Sequence, residues 1–497
     1  MKLRNTLFAL GLLAALGGVL YYLNKHPQSN TTGDTSAEKK KLFSFQPSQV
    51  NGFTIEAPDQ PAVTIRRAQN KGTAPGATAG TGGAQWEVAA PAGVPPDNTQ
   101  IQAFLDALPK IEYTPLESQA PTALAEYGLD QPSKTFKIEV GGGQPVTLAV
   151  GKENPGGYAK YATLGGSAGL ILLDKIDAKE LIDKTLFDLR DKRVMPVAVD
   201  KAKQLTLKFD LKTASAEDLE KAKKLGLPVK PPKIAINREP NGNWQLSDPD
   251  VRTDFGDTNY FVTTVNGALM GTVEEENPKS LGEYGLDRPA IRLDVTAENG
   301  STHSLLVGKK KEAKKSADAE KKDAPKPDEN LGYYAKNSDW PTVFTINQAA
   351  YDQLNQDLDN YRNRFLFDFE VSNARRVEIT GPGAELRFDK KGEDWLKGGD
   401  ATKKADATKV EAFLNAVHAL RIQHFTQDRV SNLAEYGLDK PWMKVKVTFS
   451  ESNKEETVMF GQKNKKFFAA KPDRPSVFEM SPNEPEELEK KLKDLSS

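Results

Sequence analysis

The sequence contains no cysteine. Disulfides, thiolate nucleophiles, Cys-ligated zinc, iron–sulfur clusters and a lipidated N-terminal cysteine are therefore excluded. Histidine is nearly as scarce, with only His26, His303, His418 and His424, and no two of them stand at the i, i+4 spacing of a helical metal site. An excess of charge is lacking too: 68 Lys and Arg face 69 Asp and Glu, a formal net charge of -1, so no basic field argues for nucleic acid. No run places Asp or Asn at the first, third and fifth positions of a calcium loop with Gly at the sixth. Gly151-Lys152 and Gly308-Lys309 superficially resemble a phosphate loop, but Glu153 and Lys310 follow where Ser or Thr is needed, and Val146 replaces the earlier Gly. These glycines read instead as strand ends. There is no Gly-x-Ser-x-Gly elbow, and no Ser or Thr is locally supported by a His as a nucleophile would be. The sequence singles out no catalytic, cofactor-binding or metal-ligating residue, and no cofactor is expected, although triads assemble from distant residues.

Long hydrophobic runs are also missing after the first two dozen residues. The one present, Thr6 to Leu23, follows Lys2 and Arg4, carries no charge and ends at Tyr21 and Tyr22 before Leu23. Its length at 1.5 Å per residue reaches about 27 Å, enough to cross a bilayer core of about 30 Å. Residues 1–28 are expected to be an uncleaved single-pass anchor in the inner membrane, with the short basic flank cytoplasmic and the bulk of the chain periplasmic. Lys25 and the cluster Lys39 to Lys41 oppose that orientation.

What is present in abundance is internal repetition. The phrase Glu126-Tyr127-Gly128-Leu129-Asp130-Gln131-Pro132 returns at Glu283 to Pro289 and at Glu435 to Pro441, with only the residue before proline changed. Trp86, Trp244 and Trp395 precede the copies, and Gly151, Gly308 and Gly461 follow them, at nearly the same steps. Each copy opens on a basic and aromatic phrase leading into a strand, as in Lys41-Leu42-Phe43-Ser44-Phe45. A period of roughly 150 residues lets each copy bury its own core, unlike short solenoid repeats. The chain reads as an anchor at 1–28 followed by tandem modules at 41–188, 189–360 and 361–497.

Within a copy, Phe136, Ile138 and Val140 alternate with Thr135, Lys137 and Glu139, the period of a strand, as do Ile291, Leu293, Val295 and Val445, Val447, Phe449. A second strand ending at the shared Gly makes a hairpin with it. Ile101, Phe104, Leu105 and Leu108 have helical spacing, matched by Val410, Phe413, Leu414 and Val417. Each module is expected to be α+β, an antiparallel sheet with helices on one face. The phrase is expected to be a short helix ended by a left-handed Gly, with Asp-x-Pro turning the chain into the strand and the Tyr packed on the sheet. Residues 70–84 are Gly, Ala and Thr rich, 212–232 form a charged insertion, and 309–330 hold eight Lys and six acidic residues with Pro325 and Pro327, a low-complexity segment expected to be disordered.

An N-terminal anchor followed by three such phrases, each between a Trp-containing strand and a Val-Gly-Lys strand end, resembles the bacterial domain-of-unknown-function 4340 family over nearly the whole chain. The third copy departs slightly, with Gly461-Gln462-Lys463 in place of Gly-Lys. The resemblance implies an uncharacterised extracytoplasmic protein, often encoded beside an ABC-type transport system of the gliding-motility kind. The expected function is a non-enzymatic scaffold or accessory component of such a membrane transport or envelope system, with the membrane and ABC-type transporter subunits as partners. The alternative is a cell-envelope hydrolase or polymer-binding protein with a composite site between domains.

Overall fold

The computed structural model describes residues 38–68, 85–116, 123–165, 169–210, 231–248, 251–312, 331–450, 452–474 and 476–496. The expected anchor at 1–28, the stretch 70–84 and nearly all of the insertions at 212–232 and 309–330 lie outside these. Among the described residues no helix is long and apolar enough to cross a membrane.

The alternation after each shared proline becomes a strand with one face in the core. In the first copy this is β6 (Lys134–Val140), with Phe136 and Ile138 fully buried and Val140 half-buried. It pairs with a strand some 80 residues earlier, β2 (Val50–Glu56), which sets Phe53 opposite Ile138 and Ile55 opposite Phe136. The same pairing joins β10 (Ala202–Phe209) to β14 (Ile291–Ala297), and β18 (Ala374–Gly381) to β22 (Met443–Phe449). All three pairs break register at the same point, between Val50 and Gly52, Ala202 and Gln204, and Ala374 and Arg376. A shared bulge at a shared place is a built feature of the module.

Around this central pair each sheet grows in one order. The remaining strands of the first are β1 (Lys40–Lys41), β3 (Val63–Arg67), β4 (Trp86–Ala90), β5 (Glu112–Pro115), β7 (Val146–Glu153), β8 (Ala159–Leu164) and β9 (Leu170–Asp174), arranged β1-β5-β9-β8-β7-β6-β2-β3-β4. The second adds β11 (Lys233–Arg238), β12 (Trp244–Leu246), β13 (Val273–Glu275), β15 (Thr302–Lys310), β16 (Tyr333–Asn337) and β17 (Val343–Ile346) in the order β12-β11-β10-β14-β15-β16-β17-β13. The third repeats it with β19 (Ala384–Lys391), β20 (Asp394–Lys397), β21 (Ile422–Gln427), β23 (Lys454–Lys463), β24 (Lys466–Ala470) and β25 (Val477–Met480) as β20-β19-β18-β22-β23-β24-β25-β21. Among the described residues the three orders, read from the Trp strand inward, are identical, and only β1 is extra.

One compact unit ends at Arg190 and a second begins at Asp191, so the second and third sheets share a unit. The helices at Asn98–Ala107 and Ala407–Ala419 bury the residues their spacing marks, with Ile101, Phe104 and Leu105 in one and Val410, Phe413, Leu414 and Val417 in the other. Each such side chain contributes about 1.5–3 kcal/mol by leaving water. Asp97, Asp254 and Asp406 cap these helices and that at Phe255–Gly267, accepting hydrogen bonds from first-turn amides. The aromatic opening phrases fill the cores, Phe43 and Phe45 in the first and Phe367 and Phe369 in the third.

Two expectations are corrected. The shared glycines do not end their strands: β7, β15 and β23 run two residues past Gly151, Gly308 and Gly461, because the ladder to the next strand continues beyond them. For the same reason the charged segment 309–330 does not begin as disordered chain. Lys309 and Lys310 belong to β15, and Lys311 pairs with Glu274 at 2.7 Å.

Candidate functional site

The repeated phrase is the first place to look for shared chemistry. Its helix is a single 3₁₀ turn, Leu124–Tyr127, Gly282–Tyr284 or Leu433–Tyr436, closed by Gly128, Gly285 or Gly437 at φ of 64°, 67° and 67°. The amide of the next Leu donates back across the turn, Leu129 to the Leu124 carbonyl at 2.9 Å and Leu286 to Leu281 and Leu438 to Leu433 at 3.0 Å. This is the six-to-one closure of a helix end. Those three leucines are buried, while the acidic residues Glu126, Asp130, Glu283, Asp287, Glu435 and Asp439 are exposed. The tyrosine rings pack edge-on against the sheet, on Tyr161, Tyr334 and Phe468 at 5.0, 5.1 and 5.1 Å.

The two landmarks of the repeat also meet. A Cβ on Gly151 or Gly308 would lie 2.1 Å from the carbonyl oxygen of Tyr127 or Tyr284, and one on Gly461 would lie 2.6 Å from that of Tyr436. The strand glycine is thus the seat of the phrase. In the first two copies the strand bulges there, between Val150 and Glu153 and between Val307 and Lys310, whereas the third ladder is regular through Gln462. The motif therefore closes backbone onto backbone, and its carboxylates stay in water.

Chemistry concentrates elsewhere, in places that are not repeated. Where the second sheet's chain passes to the third, Arg252, Arg362, Lys471 and Arg474 line a cavity of about 20 Å³ together with Phe365, Leu366, Ile422, Phe425 and Phe478. Arg252 donates to the Phe365 carbonyl and to Asp368, both at 2.8 Å. Arg362, only 6% exposed, stacks 3.8 Å over the Phe425 ring and pairs with Asp428 and, at 3.4 Å, Asp359. Burial raises the Asp359 carboxyl against the pull of Arg362. Lys471, 5% exposed, has Glu456 at 3.5 Å, and Glu456 also accepts the Asp368 amide at 2.9 Å. Burial pulls the Lys471 ammonium below its ordinary range, with Glu456 opposing and Arg252 and Arg474 adding to the fall.

A second cluster sits at the β14–β15 turn. Ser301 Oγ lies 2.9 Å from His303 Nε2, and His303 Nδ1 lies 2.8 Å from Asp339 Oδ2. The order Ser–His–Asp is that of a relay, but the Ser301 hydroxyl donates its proton to Asn299 Oδ1 at 2.8 Å rather than to the imidazole; the sequence reading missed the cluster. Ser301 and His303 are alternate residues entering one strand and so share a face, which was legible; Asp339 comes from the turn after β16. The amides of Gly300 and Ser301 are already donated, to the Ala297 carbonyl and Asn299 Oδ1, both at 3.0 Å, so neither is left to hold an oxyanion. Five residues before the shared Gly, where His303 stands, the other copies have Val146 and Glu456.

Of the other histidines, His26 lies outside the described residues and His424 is exposed. His418 has rings of Phe365 and Phe369 at 5.9 and 5.8 Å, and its buried Nδ1 has no hydrogen-bond partner. Among the described residues no three His, Asp or Glu gather closely enough to hold a metal ion.

The chain also has a match among known families. The chain matches the domain of unknown function 4340 (DUF4340) over residues 86–249, 323–441 and 404–497. It belongs to that family. The matched stretches start and stop inside sheets, so a DUF4340 match and one of the three sheets described above are different divisions of the same chain. No curated protein and no solved structure matches it.

Proposed function

We propose that this DUF4340 protein is a non-enzymatic scaffold or accessory component of an ABC-type transport or envelope system. Residues 1–28 hold it at the inner membrane, and the three sheets stand outside the cytoplasm. The observation that carries this reading is the seated phrase: the motif common to all copies is spent on closing backbone, and its carboxylates are exposed. A chain that, among its described residues, repeats a fold but no reactive centre is suited to presenting surfaces. Contact with a transporter would use the anchor or exposed module faces, and interfaces of about 600–1,500 Å² suffice. ATP hydrolysis would belong to other chains.

Crosslinking in cells before solubilisation tests this. The expected outcome is recovery of membrane subunits of an ABC-type system, reduced when residues 1–28 are deleted because co-localisation is lost. Recovery of only soluble envelope enzymes or polysaccharide, equally with and without the anchor, rejects it.

One observation favours the hydrolase alternative, the Ser301–His303–Asp339 cluster in the second copy. The same preparations treated with a fluorophosphonate probe discriminate: labelling that disappears in Ser301→Ala supports a hydrolase, and unlabelled protein leaves the cluster as the brace of a hairpin end.

A further inference from the structure

We infer that the cavity between the second and third sheets is a seat for one oxyanion end group, a carboxylate or a phosphate. Four bases line it and no acid does. Acids outside the lining pair with three of them, Asp368 with Arg252, Asp359 and Asp428 with Arg362, and Glu456 with Lys471. Two features leave its charge unanswered. Among the described residues, Arg474 lines the cavity with no carboxylate paired to its guanidinium, and the buried Nε of Arg362 has no hydrogen-bond partner. Lys471 adds an ammonium, 5% exposed, whose one carboxylate stands at 3.5 Å.

Arg362 and Lys471 are buried and Arg474 is half-buried; cations held partly out of water are costly unless well matched, and an incoming oxyanion strengthens the match with charge-assisted hydrogen bonds. Size limits what enters. About 20 Å³ admits roughly one water-sized group, so an oxygen or two of the ligand go in and the rest of its molecule stays outside. The rings of Phe365, Phe425 and Phe478 at the wall favour an end group attached to apolar atoms. Lys471 has no basic counterpart in the other two sheets. The position of Lys471, judged by strand pairing, is Asn337 in the second sheet and Leu164 in the first.

The experiment is a titration of the full-length protein with inorganic phosphate and, separately, with acetate, at ionic strength held constant with chloride. Thermal midpoint and heat of binding are both read. The expected result is a saturable rise in midpoint beyond that in chloride for at least one oxyanion. The ion that saturates at the lower concentration identifies the end group as phosphate or carboxylate. Arg474→Ala, which breaks no ion pair, and Lys471→Met each raise the half-saturating concentration about tenfold or more, the consequence of losing about 1.4 kcal/mol. The exposed Lys444→Ala leaves it unchanged. Absence of a saturable effect from either ion, or equal binding by Arg474→Ala and the unaltered protein, overturns the assignment.

Discussion

The second and third sheets have the same strand order, the same bulge at the start of the central pair and the same phrase seated on the same glycine, yet they differ at the residues that carry charge. At the β14–β15 turn the second copy carries His303, braced by Asp339; at the matching position the third carries Glu456, which reaches Lys471. Buried Asn337 in the second donates to the Val194 carbonyl at 2.7 Å and ties the sheet to its incoming chain, where the third has a buried lysine facing a cavity. Repetition has therefore conserved how the sheet closes and released what its hairpin ends do. Anything specific to this protein should be sought in the differences between copies.

The strongest way to break that view is through the seat itself. Gly151→Ala, Gly308→Ala and Gly461→Ala each put a methyl group against a tyrosine carbonyl, a wall made of backbone that no rotamer change relieves. A cost of about 3 kcal/mol is expected in each. Amide exchange in strands of the same sheet should accelerate by about a hundredfold, with little change in the neighbouring sheet. Unaltered exchange in any of the three would mean the seat is incidental.

The phrase glycine separates the copies more finely. A Cβ on Gly285 would meet the Lys309 amide nitrogen at 3.2 Å, but on Gly437 it would meet the Gln462 carbonyl oxygen at 2.5 Å, because the third strand lacks the bulge. Gly285→Ala should cost about 1 kcal/mol, the price of a left-handed alanine. Gly437→Ala should cost about 2 kcal/mol, since the methyl also overlaps backbone. Equal losses in denaturant midpoint for the two would show that the missing bulge has no energetic consequence.

How much of this was legible follows from how far apart the partners lie. Phe136, Ile138 and Phe104 announced strand and helix because each pattern is complete within a dozen residues. The left-handed Gly128 was legible from its own phrase. The seat was not read, although Tyr and Gly keep a separation of 24, 24 and 25 residues, because constant spacing says that two landmarks belong together and not that they touch. The cationic cavity had no local signal at all. Arg252 reaches Asp368 across 116 residues, and Arg362 reaches Asp428 across 66. Each base alone looks like an ordinary surface charge, and only the sheet order makes a cluster of them.

The finest difference between the copies is in what the phrase tyrosine holds. Tyr284 donates to the Glu275 carboxylate at 2.9 Å, and Tyr436, nine residues past its own acceptor in the same way, donates to the Gln427 amide oxygen at 2.8 Å. Burial, then the hydrogen bond to Glu275 and its charge, push the Tyr284 phenol up to about 12 from an ordinary 10.0. Tyr436 is also raised, by burial and then by Glu435, with no carboxylate accepting its proton. A folded-state value above the unfolded one means that the neutral phenol stabilises the fold fully below pH 10, and that this contribution drains away as pH climbs from 10 to about 12. Glu275→Gln makes the second copy resemble the third. Ultraviolet titration of tyrosinate should then show one phenol ionising at lower pH, and the loss of stability above pH 10 should become shallower. Gln427→Glu should do the reverse in the third copy, raising its phenol. A titration unmoved by either exchange would mean that burial alone sets both tyrosines and that the acceptor is interchangeable.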